Sequence, residues 1–504
     1  MNKISIIDTE EAVSDAVSSV THVPATSVLA PTVEVPSGKR IPFAWRDFSV
    51  GKDCEVGTTI LRWEEGTVVP EGTFRLRLAV SLDIRHTIQV EARDSETGVV
   101  FGVFDFTQAP VFQIAEIPLT REFGKRVLQV GVELRQIDGS VDLRFFAPSA
   151  NSPTLLQPHL MVAGAAETAD VWGEFLERFR DLSTVQTFSW MEGCLLEGGY
   201  DLNQRYAQLA YETDLKRRLR LYLNEHDLIY ENPRSEPVDN SIYGIEGTLP
   251  FAVIGRLYPE HASVQRAVDF WLSRKQPDGH FASGAIMDGS MLSAEGSLCV
   301  AYPLVVIARR RGDVILEELA LDQFRIRRDL LVSEDGSIYL RNRLGDLSFR
   351  NWARGITWYY LGLVRGIIEL NDRKDIEDLR REAHRVMHYL LSYQLENGLW
   401  TNFIHQPSSG MDTSGSAGIA AALALAYQHG ILPIEARQAA ARTKDGLVAY
   451  LTADGLLEGG TPSNRAGEGS GQRRVIFPVG MGLAAQLLVA LDPVDDSSSC
   501  VKES

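Results

Sequence analysis

Asp278-Gly279-His280-Phe281, Asp335-Gly336-Ser337-Ile338, Asn397-Gly398-Leu399-Trp400 and Asp454-Gly455-Leu456-Leu457 are one punctuation mark written four times. An Asx-Gly step favours left-handed backbone, and apolar residues just behind it return the chain to a core, so each copy marks a turn between packed elements. Successive copies lie 57, 62 and 57 residues apart, and His226-Asp227-Leu228-Ile229-Tyr230 reads as a degenerate earlier copy. A period of about 60 residues holds two helices of roughly 15 to 20 residues with their loops, so the repeating unit is a helical hairpin. Between about 167 and 493 the apolar residues follow a 3.6-residue period, which leaves room for about five or six hairpins. A ring of hairpins hides end faces that an open array exposes. The expected fold is therefore mainly α and multidomain, with an (α/α)6 toroid over residues 160–493. Ligand is expected in the pit at one end of the inner helices.

The chain of 504 residues is too long for one ordinary domain, and the part before the repeats has a different period. Short alternating runs such as Phe74 to Val80, Ile88 to Ala92, Val99 to Phe106, Val127 to Arg135 and Val141 to Phe146 are separated by turn-rich breaks at Asp94 to Gly98 and Asp138-Gly139. They predict an all-β sandwich over residues 39–155, a candidate contact for oligomer formation. Residues 1–38 and 494–504 lack a sustained period and read as flexible tails. Fifty basic against sixty-seven acidic residues, a net charge of −17, argue against nucleic acid or an anionic membrane as partner. An anionic ligand then needs a local basic site. Cys54, Cys194, Cys299 and Cys500 are scattered, which suits a reducing compartment. The N-terminus has acidic residues where a signal peptide needs a basic flank, and no run of about 18 apolar residues is present, so a cytoplasmic protein is expected.

Unusual polar residues gather near the predicted helix starts. In Asn351 to Tyr360, NWARGITWYY, Arg354 lies between Trp352 and Trp358. A guanidinium fork matches a carboxylate, and indole faces stack on the apolar side of a pyranose. Trp358 also falls where an apolar stripe begins (Leu361, Leu363, Val364, Ile367), a position equally suited to the core. Asp239, followed by Asn240 and Tyr243, and Asp288 each stand just before a helix and are 49 residues apart, close to one repeat. Each suits a helix cap, yet equivalent placement brings two carboxylates to one rim, where different protonation states give an acid and a base. Asp412-Thr413-Ser414-Gly415-Ser416 and the loop from Gly459 through Thr461 to Arg465 offer hydroxyls and amides to a sugar. HExxH, GxSxG, phosphate-loop and dinucleotide patterns are absent, and neither a metal nor a cofactor is called for.

Taken together, Asp239-Asn240 with Gly244, Met287-Asp288-Gly289 with Glu295, Trp352-Ala353-Arg354-Gly355 with Trp358, Gln394 to Trp400, Asp412 to Ser416 and Gly459 to Pro462 resemble the unsaturated uronyl hydrolases, glycoside hydrolase families 88 and 105. The similarity spans roughly residues 200–490. It implies an enzyme that removes a terminal unsaturated glucuronyl or galacturonyl residue from an oligosaccharide by hydrating its C4=C5 bond. It also implies Asp288 as the acid/base, Asp239 as its assistant, Arg354 as the uronate clamp, and Trp352 and Trp358 as stacking platforms. Two departures stand out: Ser283 and Arg341 occupy regions where related sequences carry His. Arg341 restores positive charge, and Ser283 a hydroxyl. The competing expectations are a hydrolase of intact glucuronides that uses the two Asp as a carboxylate pair, and a non-catalytic carbohydrate-binding protein.

Overall fold

The computed structural model describes residues 20–51, 58–164, 170–283, 291–461 and 474–492. Eleven strands come first: β1 (Val20–Pro24), β2 (Ser27–Leu29), β3 (Asp47–Val50), β4 (Thr59–Arg62), β5 (Thr73–Ala79), β6 (Thr87–Asp94), β7 (Val100–Thr107), β8 (Ile114–Leu119), β9 (Val132–Asp138), β10 (Leu143–Phe146) and β11 (His159–Ala163). They form antiparallel sheets of order β1-β11-β5-β8 and β2-β4-β9-β6-β7, with β10 paired to β3. Alternation drives this assembly. Ile88, Val90 and Ala92 point into a core with Leu76, Leu78, Phe104, Phe106 and Leu134, while their neighbours along β6 are half-buried.

Two expectations change in this region. Residues 20–38, read as part of a flexible tail, supply β1 and β2, and β11 extends the sheets past residue 155; β1 pairs with β11 from Val20 opposite Ala163 to Pro24 opposite His159. The run from Val127 to Arg135 is not one strand. Helix α1 (Arg121–Val130) occupies its first part, started by the Thr120 hydroxyl accepting from Phe123 N at 3.1 Å and stopped by Gly131 at φ 84°.

The helical region contains α2 (Val171–Arg180), α3 (Trp190–Arg205), α4 (Tyr211–Leu219), α5 (Pro250–Leu257), α6 (Ala262–Ser273), α7 (Tyr302–Arg311, continuing a π turn at Ser297–Ala301), α8 (Val314–Leu331), α9 (Ala353–Glu369), α10 (Glu377–Leu391), α11 (Thr413–Gln428), α12 (Ile434–Leu447) and α13 (Val479–Leu491). A small sheet of β12 (Met291–Ser293), β13 (Tyr339–Arg343) and β14 (Asp346–Arg350) lies among them. Helices α3, α5, α7, α9, α11 and α13 each pack on the next, and α13 packs back on α3. Each also packs on a helix adjacent in sequence or, for α13, on α2 as well as α12. The six are buried on nearly all sides, and small residues permit the close approach. A Cβ on Gly482 of α13 would lie 2.4 Å from the Cys194 carbonyl of α3. The outer helices are amphipathic: α10 buries Leu379, Ala383, Val386, Met387 and Leu390, and leaves His384 and His388 exposed.

The repeated Asx-Gly marks are the turns that lead from outer to inner helices. Gly279, Gly336, Gly398 and Gly455 have φ between 80° and 92°, and each donates its N–H at 2.9 Å to the carbonyl three residues back. A left-handed residue there suits glycine alone without strain. The degenerate copy at His226-Asp227 has no glycine; instead Asn224 Oδ1 accepts from the His226 and Asp227 N–H groups at 2.9 and 2.8 Å.

The β sheets dock directly on the helices. Trp45, Phe112 and Phe146 share one core with Phe188, Tyr222 and Phe251. Arg77 of β5 reaches the last Asx-Gly mark and binds Asp454 bidentately at 2.6 and 3.0 Å, with both side chains 1% exposed. No helix among the described residues is long and apolar enough to cross a membrane.

Candidate active site

The entrances of the six inner helices gather the candidate residues. Trp190 opens α3, Glu246 lies in the short turn before α5, Glu295 precedes the π turn of α7, Arg354 lies in the first turn of α9, Ser414 in that of α11, and Phe477 precedes α13. Helix N-termini carry unpaired N–H groups and partial positive charge, so their convergence favours an anionic ligand.

Arg354 is the hub of one side. Its guanidinium lies over the Trp352, Phe477 and Trp190 rings at 4.7, 5.4 and 5.9 Å. Nη1 donates to Ser414 Oγ at 3.2 Å, to Thr461 Oγ1 at 3.1 Å and to the Thr461 carbonyl, and Asp412 stands 3.9 Å away. Burial pulls its pKa below the ordinary value, and Asp412 opposes that shift. Nε is buried without a hydrogen-bond partner. Trp352 covers the guanidinium and donates from its indole N–H to Asn402 at 3.0 Å.

Opposite stands a carboxylate pair. Glu246 keeps part of its surface open while protein surrounds its carboxyl; burial first, and then the neighbouring Glu295 charge, push its pKa up to about 7. Burial also raises Glu295, against the lowering effects of Arg341, of the Ser293 hydroxyl and of Arg354. Ser293 Oγ donates to Glu295 Oε2 at 3.2 Å, and Ser283 Oγ donates to Ser293 Oγ at 3.1 Å. Arg341 lies directly across the β12–β13 pair from Ser293, so both side chains share one face of the sheet. Its guanidinium rests over Phe349 at 5.2 Å, and its Nε is buried without a hydrogen-bond partner. The Tyr243 hydroxyl, also unpartnered, faces the pair: burial, then the charge of Glu246, raise its pKa well above the usual value. Two carboxyls with raised pKa values, flanked by two guanidinium groups, can hold one proton near neutrality and pass another.

The structure thus brings together Arg354, Trp352, Ser414 and Thr461, and on the facing side Arg341, Ser283 and Tyr243. Other expected residues are engaged in structural contacts. Asp239 accepts two 2.7 Å bonds from Arg40, and those bonds hold its carboxyl below the usual range against burial, the opposite of what a proton-holding acid requires. Asn240 pins its own loop, accepting from Leu228 N at 3.0 Å and Arg266 at 2.9 Å. Trp358 is 1% exposed and packs under Trp190 with ring centres 4.9 Å apart, so Trp190, not Trp358, is the partly open indole. Ser416 is fully buried and closes a loop by accepting from Trp400 N at 2.9 Å. Asp288 and Arg465 lie outside the described residues, as does the segment 494–504.

Glu246, Trp190 and Phe477 were not singled out in the sequence, and Glu295 only as a neighbour of a motif. A signal for the carboxylates was present. Glu246 and Glu295 are themselves 49 residues apart, the same interval that selects Asp239 and Asp288, and they sit at the helix starts instead of seven residues before them.

Residues 312–489 match the model for Glycosyl Hydrolase Family 88, which bears out the resemblance stated above. Among solved structures, a possible member of the GH105 family from Salmonella enterica is 16% identical with a TM-score of 0.54, over 68% of this chain and 98% of its own. A family 105 glycoside hydrolase from C. acetobutylicum is 17% identical with a TM-score of 0.54, over 64% of this chain and 98% of its own. A family 88 glycosyl hydrolase from Bacteroides vulgatus is 14% identical with a TM-score of 0.50, over 64% and 98%. At these identities the likeness is one of fold. No curated protein matches the sequence.

Proposed function

We propose that this chain, a glycoside hydrolase of the family 88 and 105 type, removes a terminal uronic acid unsaturated at C4=C5 from an oligosaccharide, with Glu246 and Glu295 handling the protons. The observation that carries the reading is the pair itself: two carboxyls at neighbouring helix entrances, both with raised pKa, between Arg341 and Arg354. An acid must hold its proton at working pH and still release it, and Glu246, raised to about 7, meets that demand. Glu295, whose ionised form is favoured by Arg341, by the hydrogen bond from the Ser293 hydroxyl and by Arg354, is the base.

In this scheme Glu246 delivers its proton to C4 while a water oxygen bonds to C5 and loses a proton to Glu295. The C4=C5 double bond becomes single, and C5 carries both the new hydroxyl and the ring oxygen. This hemiketal opens, the bond to the leaving sugar breaks, and the proton taken by Glu295 returns to solvent or to Glu246. Arg341 and Arg354 offset the uronate charge, which two carboxylates alone would repel. Trp190, the partly open indole, offers a face to the ring, and Trp352 backs the Arg354 guanidinium. The cycle of helix contacts supports reading the scaffold as an (α/α)6 toroid, with this pit at the N-terminal ends of its inner helices.

Glu295→Gln and Glu246→Gln are each expected to lower kcat by about 10²- to 10⁴-fold while the oligosaccharide still binds. Near-normal rates in both variants overturn the assignment. If only Asp288→Asn is inactive, the proton chemistry belongs to Asp288.

A further inference from the structure

Arg327, on α8, is 0% exposed and makes no ion pair among the described residues. Its Nε donates to the Ser293 carbonyl at 3.0 Å, and its Nη1 donates to the Gln323 carbonyl and Oε1 at 3.1 and 2.9 Å. Nη2 has no partner. Burial pulls its pKa down to about 9. A buried cation without a counter-ion is costly, and a thioether of similar length would avoid that cost, so stability alone does not call for a guanidinium here.

The position suggests what the group does. One turn earlier on α8, the buried Gln323 accepts from Phe281 N at 3.0 Å and donates to the Gly279 carbonyl at 2.8 Å. Gln323 and Arg327 therefore grip two arms of chain, Gly279–Phe281 and Ser293, which Ser283 N joins by donating to the Met291 carbonyl at 2.8 Å. The guanidinium also fills the space under the turn that carries Glu295: a Cβ on Gly296 would lie 1.9 Å from Nη2. Ser293 links the grip to the carboxylate pair, since its hydroxyl donates to Glu295 Oε2 at 3.2 Å.

We propose that Arg327, backed by Gln323, is a positioning residue: by holding the Ser293 carbonyl it keeps the Ser293 hydroxyl on Glu295. This rests on the functional reading above. Glu295 also faces Glu246 and Tyr243 at the α5 entrance, Arg341 from β13, Arg354 from α9 and Cys299 on its own helix. Of its partners, Ser293 is the one Arg327 holds directly.

Arg327→Met is expected to lower kcat by about 10- to 100-fold with KM within about twofold, as a small misplacement of reacting groups does. The acidic limb of the kcat/KM profile should move to higher pH, because Glu295 loses a hydrogen bond that favours its charged form. Arg327→Lys retains a donor for the carbonyl and should return the limb toward its original place. If Arg327→Met does not fold, Gly296→Ala, whose methyl displaces the guanidinium, and Arg327→Lys carry the same test. A folded Arg327→Met or Gly296→Ala enzyme with an unmoved limb overturns the proposal, whether kcat is retained or lost. The two readings fail separately: an active Glu295→Gln enzyme removes the carboxylate assignment, whereas an inactive one beside a normal Arg327→Met enzyme removes only the positioning role.

Discussion

Replacing Arg77 by Met removes the cation that ties the β sheets to the last hairpin turn of the helices. Arg77 and Asp454 are each 1% exposed, and the guanidinium also donates to Glu116 at 2.8 Å. After the substitution Asp454 keeps the Thr452 hydroxyl at 2.8 Å, Arg178 at 3.9 Å, and His22 at 3.5 Å. His22 gives little help, because burial lowers its pKa to about 4 and leaves it neutral near pH 7. Breaking one side of a buried ion pair costs about 3 to 5 kcal/mol. The surviving partners place this case near the lower end, about 3 kcal/mol, which on the scale of a domain of 150 to 250 residues is about 6 to 12 °C in melting temperature. Urea unfolding followed by tryptophan fluorescence measures it. Arg77→Met combined with Asp454→Asn should be less damaging than Arg77→Met alone, since no orphaned charge remains. The pH dependence has a definite sign. In the native protein burial works to raise Asp454, and Arg77 outweighs it, so the carboxyl stays below its usual range and its contribution persists down to about pH 4. Without Arg77, burial raises the carboxyl instead; the gap between variant and native protein should then narrow as pH falls from 7 toward 4 and the orphan takes a proton. A loss below about 1 kcal/mol, or simple additivity of the two substitutions, refutes the reasoning.

Two further outcomes follow from the site. Because the acid role requires protonated Glu246, whose pKa is raised to about 7, kcat/KM should decline as pH rises through about 7 and hold its value on the acid side until Glu295 also takes a proton; a rate that climbs steadily to pH 9 contradicts this. Asp239→Asn should keep turnover within about threefold of the native enzyme and lose stability through Arg40, and a loss of about 10²-fold in kcat with normal stability would return Asp239 to the chemistry.

What the sequence made legible was whatever depends on local backbone or on period. The four Asx-Gly marks are readable because a residue at positive φ suits glycine, and the strands because one side of a sheet is buried. The tail strands β1 and β2 were hidden: their pairing with β11 and β4 is long-range and leaves little alternation in so short a run. Asp239 looked catalytic because its partner, Arg40, is 199 residues away and chain order gives no hint of it. Glu246 was hidden for a related reason. Spacing fixes the interval between two hairpins but not the phase within each, and the seven residues from Asp239 to Glu246 are turn and loop, where no period tells which carboxyl stands at the helix entrance. Trp190 and not Trp358 is the open indole because Trp190 is the first residue of α3 whereas Trp358 lies in the second turn of α9, and only the packing of α9 on its neighbours decides whether a residue there faces the pit or a neighbouring helix.

The most direct measurement follows the absorbance of the C4=C5 chromophore in lyase-generated uronyl disaccharides, beside a chromogenic intact β-glucuronide, with the native enzyme and with Glu295→Gln. The account predicts that the native enzyme abolishes the chromophore and releases one sugar for each double bond lost, that Glu295→Gln does neither, and that the intact glucuronide is not cleaved. A persistent chromophore alongside cleavage of the intact glucuronide would contradict it.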